Sequence, residues 1–307
     1  MLLKLKCTIR IKQYFNLLRI HHWIKNFLVF IPLIFGISLF SASVITGSVL
    51  GFICFSVLTS IVYILNDMRD IEKDRLHTVK RRRPLASGEI PVFHAIVSLF
   101  ILSVLLLFFL IMLWVLGNRL YYPESLGLLL LYIASNIGYS WGLKNIPIID
   151  VTILALGYVI RVLFGALIIG VNISVWLYLV ITMGAYYLGL GKRRNEITDN
   201  EDGKRDVMRF YTHNFLDKNM YVCQSLCVVF YALWSIDPGT IEKFHTSAFI
   251  YTIPLILIIF LKYSLIIETD TNGDPISVLL SDKFLSLLCA AYIVCVFCII
   301  YLNRAVS

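Results

Sequence analysis

The chain has 307 residues, 59% of them hydrophobic and 15% charged, with a mean hydropathy of +0.83. Soluble domains run near half apolar and a quarter charged, so an ordinary soluble enzyme, a disordered chain and a collagen-like chain are excluded and a polytopic membrane protein is indicated. The 27 Lys and Arg outnumber the 19 Asp and Glu, giving a net charge of +8; because these cations sit beside apolar runs, they suit lipid headgroups or phosphates rather than nucleic acid.

Nine apolar stretches follow in chain order, near 27–40, 44–65, 92–116, 124–142, 148–170, 174–191, 219–235, 247–267 and 284–302. Turn-prone sequence separates several of them, such as Ser41-Ala-Ser, Lys144-Asn-Ile-Pro147 and Asp237-Pro-Gly239. The predicted fold is therefore all-α and integral to the membrane, with nine transmembrane helices in one bundle. Residues 1–26 read as a basic cytoplasmic or interfacial segment, and their scattered charges predict no cleavable signal peptide. With these spans, 23 of the 27 Lys and Arg fall on one side and Arg119, Lys243 and Arg304 on the other. That asymmetry places the N-terminus and both long polar loops in the cytoplasm and, with an odd number of spans, the C-terminus outside. The seven cysteines lie mostly inside apolar runs, and Cys295-Val-Phe-Cys298 lacks the second pair that a metal site needs.

The two long loops carry more than orientation requires. Residues 66–89 and 192–218 hold eleven carboxylates among their cations, and acidic residues contribute little to topology. The sharpest pattern is Asn66-Asp67-Met-Arg-Asp70-Ile-Glu-Lys-Asp74, directly after the second span. If the helix continues at 100° per residue, Asn66, Asp70 and Asp74 share a stripe, each about 6 Å beyond the last, with Asp67 beside it. Carboxylates stacked on one face repel. A hard cation removes the objection, and Mg²⁺ binds through one or two carboxylates plus substrate phosphates. The bland alternative is a solvated helix end paired with Arg69, Lys73 and Arg75.

The loop continues through Lys80-Arg81-Arg82-Arg83-Pro84-Leu-Ala-Ser87-Gly88. Its Lys and Arg can grip phosphate oxygens, or alternatively hold anionic lipid. The second loop opens with Lys192-Arg193-Arg194, followed by Glu196 and, further on, Asp202-Gly-Lys-Arg-Asp206. Arg161 lies mid-span, where a cation should face the bundle interior or a wet cavity. It reads either as a phosphate ligand or as the buried partner of Asp150 or of a helix carbonyl.

Asn66 to Asp74 followed by Arg83-Pro-Leu-Ala-Ser-Gly88 resembles the first signature of the UbiA superfamily of intramembrane prenyltransferases. That resemblance implies nine helices over residues 27–307 as a single domain, with aspartate motifs that bind Mg²⁺-diphosphate in a cavity open to the cytoplasm. Finer features resemble the decaprenyl-phosphate phosphoribosyltransferase branch. They are Arg19-Ile-His-His-Trp23-Ile-Lys25-Asn26, then Tyr139-Ser-Trp-Gly-Leu-Lys144 with Asp150, Gly157 and Arg161, and Gly191-Lys192-Arg193-Arg194-Asn-Glu196 with Tyr211. Thr78, after His77, departs from the Pro usual in that branch.

The branch implies transfer of 5-phosphoribose from its 1-diphosphate (PRPP) to a polyprenyl phosphate at the cytoplasmic membrane. Asn66, Asp67, Asp70 and Asp74 are the expected metal ligands, with Asn66, Asp70 and Asp74 acting in catalysis. Lys25, Lys80, Arg83, Tyr139, Lys144, Arg161, Lys192, Arg193 and Glu196 are the expected substrate contacts. Expected partners are PRPP, polyprenyl phosphate and membrane lipid, with self-association left open. The alternatives are prenyl transfer to an aromatic or other small acceptor, and a non-catalytic lipid carrier or flippase.

Overall fold

The computed structural model describes residues 11–36, 41–116, 122–198, 206–269 and 274–302, and among them every regular element is a helix. Helix α1 (Ile11–Leu18) leads into a 3-10 segment (Ile20–Phe30) and α2 (Ile31–Phe35). There follow α3 (Ala42–Arg69), α4 (Ile71–Leu76), α5 (Val92–Leu116), α6 (Tyr122–Trp141), α7 (Ile149–Ile169) and α8 (Val175–Thr198). Helices α9 (His213–Ile236), α10 (Pro238–Phe244), α11 (Ile253–Thr269), α12 (Pro275–Ser281) and α13 (Lys283–Leu302) complete the order.

Among the described residues, six helices are long and apolar enough to cross a membrane: α3, α5, α7, α9, α11 with its preceding turn, and α13. A seventh crossing results if Ile11–Leu18 and Ile20–Phe35, bent by 46° where they meet, form one broken span. Among the described residues, helix is present from Ile11, inside the segment expected to be a basic interfacial tail. The bend falls on Arg19, whose φ of 49° and ψ of 45° are left-handed. An L-residue with a Cβ is strained in that region, so the bend must be held by tertiary contacts.

The chain forms two compact units, Met1–Trp141 with Ile160–Val171, and Gly142–Val159 with Asn172–Ser307. In the first unit α3 is central and packs against α5 and the 3-10 segment. Leu17, Val57, Ile64, Leu85, Ile90, Ala95 and Leu102 form its core. Small residues permit the approach of neighbouring backbone. A Cβ on Gly165 would lie 2.2 Å from the Val29 carbonyl oxygen. Helix α5 is apolar all round and mostly exposed, as suits a helix against lipid chains.

In the second unit α8 packs along α9, and α11 along α13. Val151, Tyr187, Leu216, Met220, Tyr263, Ile267, Val278 and Leu285 fill its core. A Cβ on Gly191 would lie 3.0 Å from Ile267, which ties the end of α8 to α11.

Candidate active site

The carboxylate motif of the first unit straddles the end of α3. The helix does not run on unbroken: Asp70, at φ −95° and ψ 11°, separates α3 from α4. Hydrogen bonding nevertheless crosses the bend, with Asp70 N donating to Asn66 O at 3.0 Å and Asp74 N to Asp70 O at 2.8 Å. The predicted one-turn spacing of Asn66, Asp70 and Asp74 therefore survives.

Each side chain has its own setting. The Ser140 hydroxyl, at the end of α6, donates to Asn66 Oδ1. Asp67, 3% exposed, accepts at Oδ1 from Arg19 Nη2 at 2.5 Å and from Arg83 Nη1 at 3.2 Å. The same Arg83 Nη1 donates to Asp74 Oδ2 at 2.6 Å. Asp70, Lys25, Lys80 and Tyr139 are half-buried.

Arg83 reaches the carboxylates because its loop is anchored on both sides. Lys80–Arg82 form one 3-10 turn, and Arg83 then turns extended before Pro84, as a residue preceding proline prefers. Leu85, Ala86 and Ile90 are buried, and Ile90 N donates to Pro84 O. Gly88 takes a φ of 77°, which closes the turn. The basic run is thus a built loop whose arginine returns to the motif.

A buried polar group lies deeper in the same unit. Arg161, 6% exposed, donates from Nε to Asn26 Oδ1 at 2.7 Å and from Nη2 to the Tyr132 hydroxyl at 3.1 Å. Its guanidinium lies 5.0 Å from the Phe55 ring centre and 5.1 Å from that of Tyr132. Two aromatic faces and an amide oxygen thereby compensate a cation in an apolar span. Asp150, the partner weighed for Arg161, lies eleven residues away on α7, which is roughly 16 Å of helix rise and too far for a direct pair.

Asp150 anchors the polar cluster of the second unit. Its Oδ2 accepts from Arg193 Nε at 2.6 Å, and its Oδ1 from the Tyr211 hydroxyl at 2.5 Å. Arg193 Nη1 donates to Glu196 Oε2 at 2.5 Å. Tyr211 in turn accepts from the backbone N–H of Ile148, a β-branched residue at φ 71°. Burial, and then its hydrogen bond to Asp150, push the Tyr211 hydroxyl up to about 12, so it remains a proton donor. Arg193 and Asp150 are both fully buried. Arg193 and Glu196, expected on phosphate, lie in one ion-paired chain that fastens the α8 end to the first turn of α7. Arg194 donates to Asp217 and to the Ile267 carbonyl. Lys192 and Lys144 are half-buried. Asp202 lies outside the described residues, as does the Asp206 side chain.

Sequence reasoning had not assigned Arg19, Tyr63 or Ser140 to the site. The signal was present for Tyr63 alone: Ser56, Ser60, Tyr63 and Asp67 form a polar stripe along a largely apolar span. Among the described residues no three His, Cys, Asp or Glu side chains are already arranged as a metal cage. The oxygen-only donors from Asn66 to Asp74 still fit a hard ion that takes few protein ligands and completes its shell with water and phosphate. Asp67 and Asp74 already share one positive centre, Arg83 Nη1.

The family model of the UbiA prenyltransferase family matches residues 29–302. The chain belongs to the UbiA prenyltransferase family. It is accordingly a transferase and a multi-pass membrane protein. It is 32% identical to a decaprenyl-phosphate phosphoribosyltransferase of Corynebacterium glutamicum, over 93% of this chain and 86% of that one. It is 30% identical to a decaprenyl-phosphate phosphoribosyltransferase of Mycolicibacterium smegmatis, over 90% and 88%. Among solved structures it resembles a UbiA homologue from Archaeoglobus fulgidus bound to GPP and Mg²⁺, with a TM-score of 0.67 at 22% identity, covering 94% of this chain and 99% of that one. Both the resemblance carried by the motifs and the expectation of a UbiA fold are thereby met.

Proposed function

We propose that this UbiA-family member transfers 5-phosphoribose from PRPP to a polyprenyl phosphate such as decaprenyl phosphate, releasing diphosphate. The observation that carries this reading is its identity of 30–32%, over most of both chains, to enzymes named decaprenyl-phosphate phosphoribosyltransferase. Charge supports it as well: a donor with a diphosphate and a 5-phosphate, and an acceptor with a third phosphate, match loops rich in Lys and Arg.

Asn66, Asp70 and Asp74 would hold Mg²⁺, which supplies neutralisation of the departing diphosphate. Arg83 and Lys80 grip phosphate oxygens from the loop after α4, and Lys25, Lys144 and Lys192 add charge for the remaining phosphates. Tyr139, one residue before Ser140 on α6, would contact the substrate. Arg161 supports the first span through Asn26, and Arg193 with Glu196 supports the loop that carries Lys144. The ribose C1–O bond breaks with its electron pair leaving on diphosphate, while a lipid phosphate oxygen bonds to C1 from the opposite face, inverting that centre. No strong base is required, because a phosphate monoester is already anionic at neutral pH.

In this reading helices α6 and α8, of 20 and 24 residues, and the bent first pair would supply the further crossings of a nine-span bundle. The Lys and Arg asymmetry puts the N-terminus and the reacting face on the cytoplasmic side of the cytoplasmic membrane and the C-terminus outside.

The deciding experiment offers purified protein labelled PRPP with decaprenyl phosphate, and in parallel a prenyl diphosphate with an aromatic acceptor. Phosphoribosyl lipid, formed with Mg²⁺ and abolished by EDTA, is the expected product. Prenylated acceptor as the sole product would overturn the reading in favour of prenyl transfer.

A further inference from the structure

We infer that Arg19 binds the donor's phosphate, and that Asp67 is the positioning residue that holds Arg19 and Arg83 rather than a metal ligand; this rests on the donor-binding reading above.

Asp67 ends the polar stripe of α3 that receives the broken first span. Asn26 Nδ2 donates to Ser56 Oγ at 3.0 Å, and Trp23 Nε1 to Ser60 Oγ at 3.0 Å. Ser60 Oγ donates to the Leu18 carbonyl at 2.8 Å, directly before the left-handed residue. One turn on, the Arg19 guanidinium lies 4.7 Å from the centre of the Tyr63 ring, and its Nη2 reaches Asp67 Oδ1. The contacts of Asp67 thus belong to the face of α3 that the first span covers.

Arg19 occupies a backbone conformation that glycine would adopt without strain. An arginine there indicates that its side chain has work to do at the position the bend gives it. That work is not burial. Asp67 is 3% exposed, whereas Arg19 is 16% and Arg83 29% exposed. The carboxylate lies beneath and the two guanidiniums form the accessible rim. Both donate to the same oxygen, Asp67 Oδ1. Two like charges converge on one atom, and each has five N–H donors, more than these contacts use. Such a pair is a cradle for an anion with several oxygens, and a diphosphate or 5-phosphate offers them. If Asp67 turned to a metal ion, both arginines would lose the acceptor that holds them together.

The test compares Arg19→Ala, Arg19→Lys, Asp67→Asn and Asp70→Asn with wild type in lipid nanodiscs, after thermal melting confirms folding. Mn²⁺ binding followed by electron paramagnetic resonance in the presence of inorganic diphosphate reads the metal separately from turnover. Arg19→Ala and Asp67→Asn should keep the wild-type Mn²⁺ stoichiometry, raise the donor KM at least tenfold and leave kcat within threefold. Asp70→Asn should lose bound Mn²⁺. Arg19→Lys should recover most of the KM change, and it carries the test if Arg19→Ala does not fold. Loss of Mn²⁺ from Asp67→Asn to the extent seen with Asp70→Asn would overturn the inference, as would an unchanged donor KM in Arg19→Ala. Should the wild type use a prenyl diphosphate in place of PRPP, the functional reading fails, while the same comparison still runs with that donor.

Discussion

Two clusters of arginine and carboxylate, one in each unit, use the same chemistry in opposite ways. In the first, Asp67 and Asp74 are buried while Arg19 and Arg83 keep partial exposure. In the second, Asp150 and Arg193 are both fully enclosed, and Tyr211 and Glu196 take up further valences. A guanidinium at a surface can exchange a carboxylate for an incoming phosphate, because water and ligand compensate the loss. One that is wholly buried cannot let go without leaving an uncompensated charge. On the proposed reading, the difference separates an arginine available for binding from one that holds the fold.

The sharpest way to break this comparison is Asp150→Asn. It should remove about 3–5 kcal/mol of stability by leaving the buried Arg193 with Glu196 as its remaining carboxylate, measured as loss of folded protein in thermal or denaturant unfolding. Asp74→Asn should do the converse: turnover should fall roughly 100-fold or more, with a shift in melting temperature smaller than that of Asp150→Asn. If both variants lose stability equally, the contrast is void. Gly165→Ala should cost about 1–3 kcal/mol by forcing the Val29 backbone away, read in the same unfolding assay.

The smallest effect is a pH dependence. The Tyr211 hydroxyl titrates higher in the folded protein than its ordinary value of 10, so folding favours its neutral form. Its contribution is full below pH 10 and is lost as pH rises through about 12. Tyr211→Phe should be less stable at neutral pH than wild type, and that gap should narrow between pH 10 and 12.

Much of the first cluster was legible because its logic is local. The spacing of Asn66, Asp70 and Asp74 follows from helix pitch, and Arg83-Pro84 with Gly88 marks a turn within the same loop. The bend at Asp70 was not foreseen, since nothing in Arg69-Asp70-Ile71 breaks a helix by propensity. Arg19 was missed because its partner lies 48 residues away and its left-handed backbone has no glycine to announce it. Arg193 is expected on phosphate from its basic run, and a basic run reads the same whether it faces ligand or carboxylate. Its pairing with Asp150, 43 residues distant, is invisible to spacing.

By itself, the sequence determined that the chain lives in a membrane, which loops concentrate charge, and which carboxylates repeat at one-turn intervals, because hydropathy and helical period are properties of neighbouring residues. Only the tertiary structure decided which arginine meets which carboxylate and which of those pairs stays open to solvent. Partner choice and burial depend on how distant segments pack, and burial is what turns an ion pair into a binding group or a fastener.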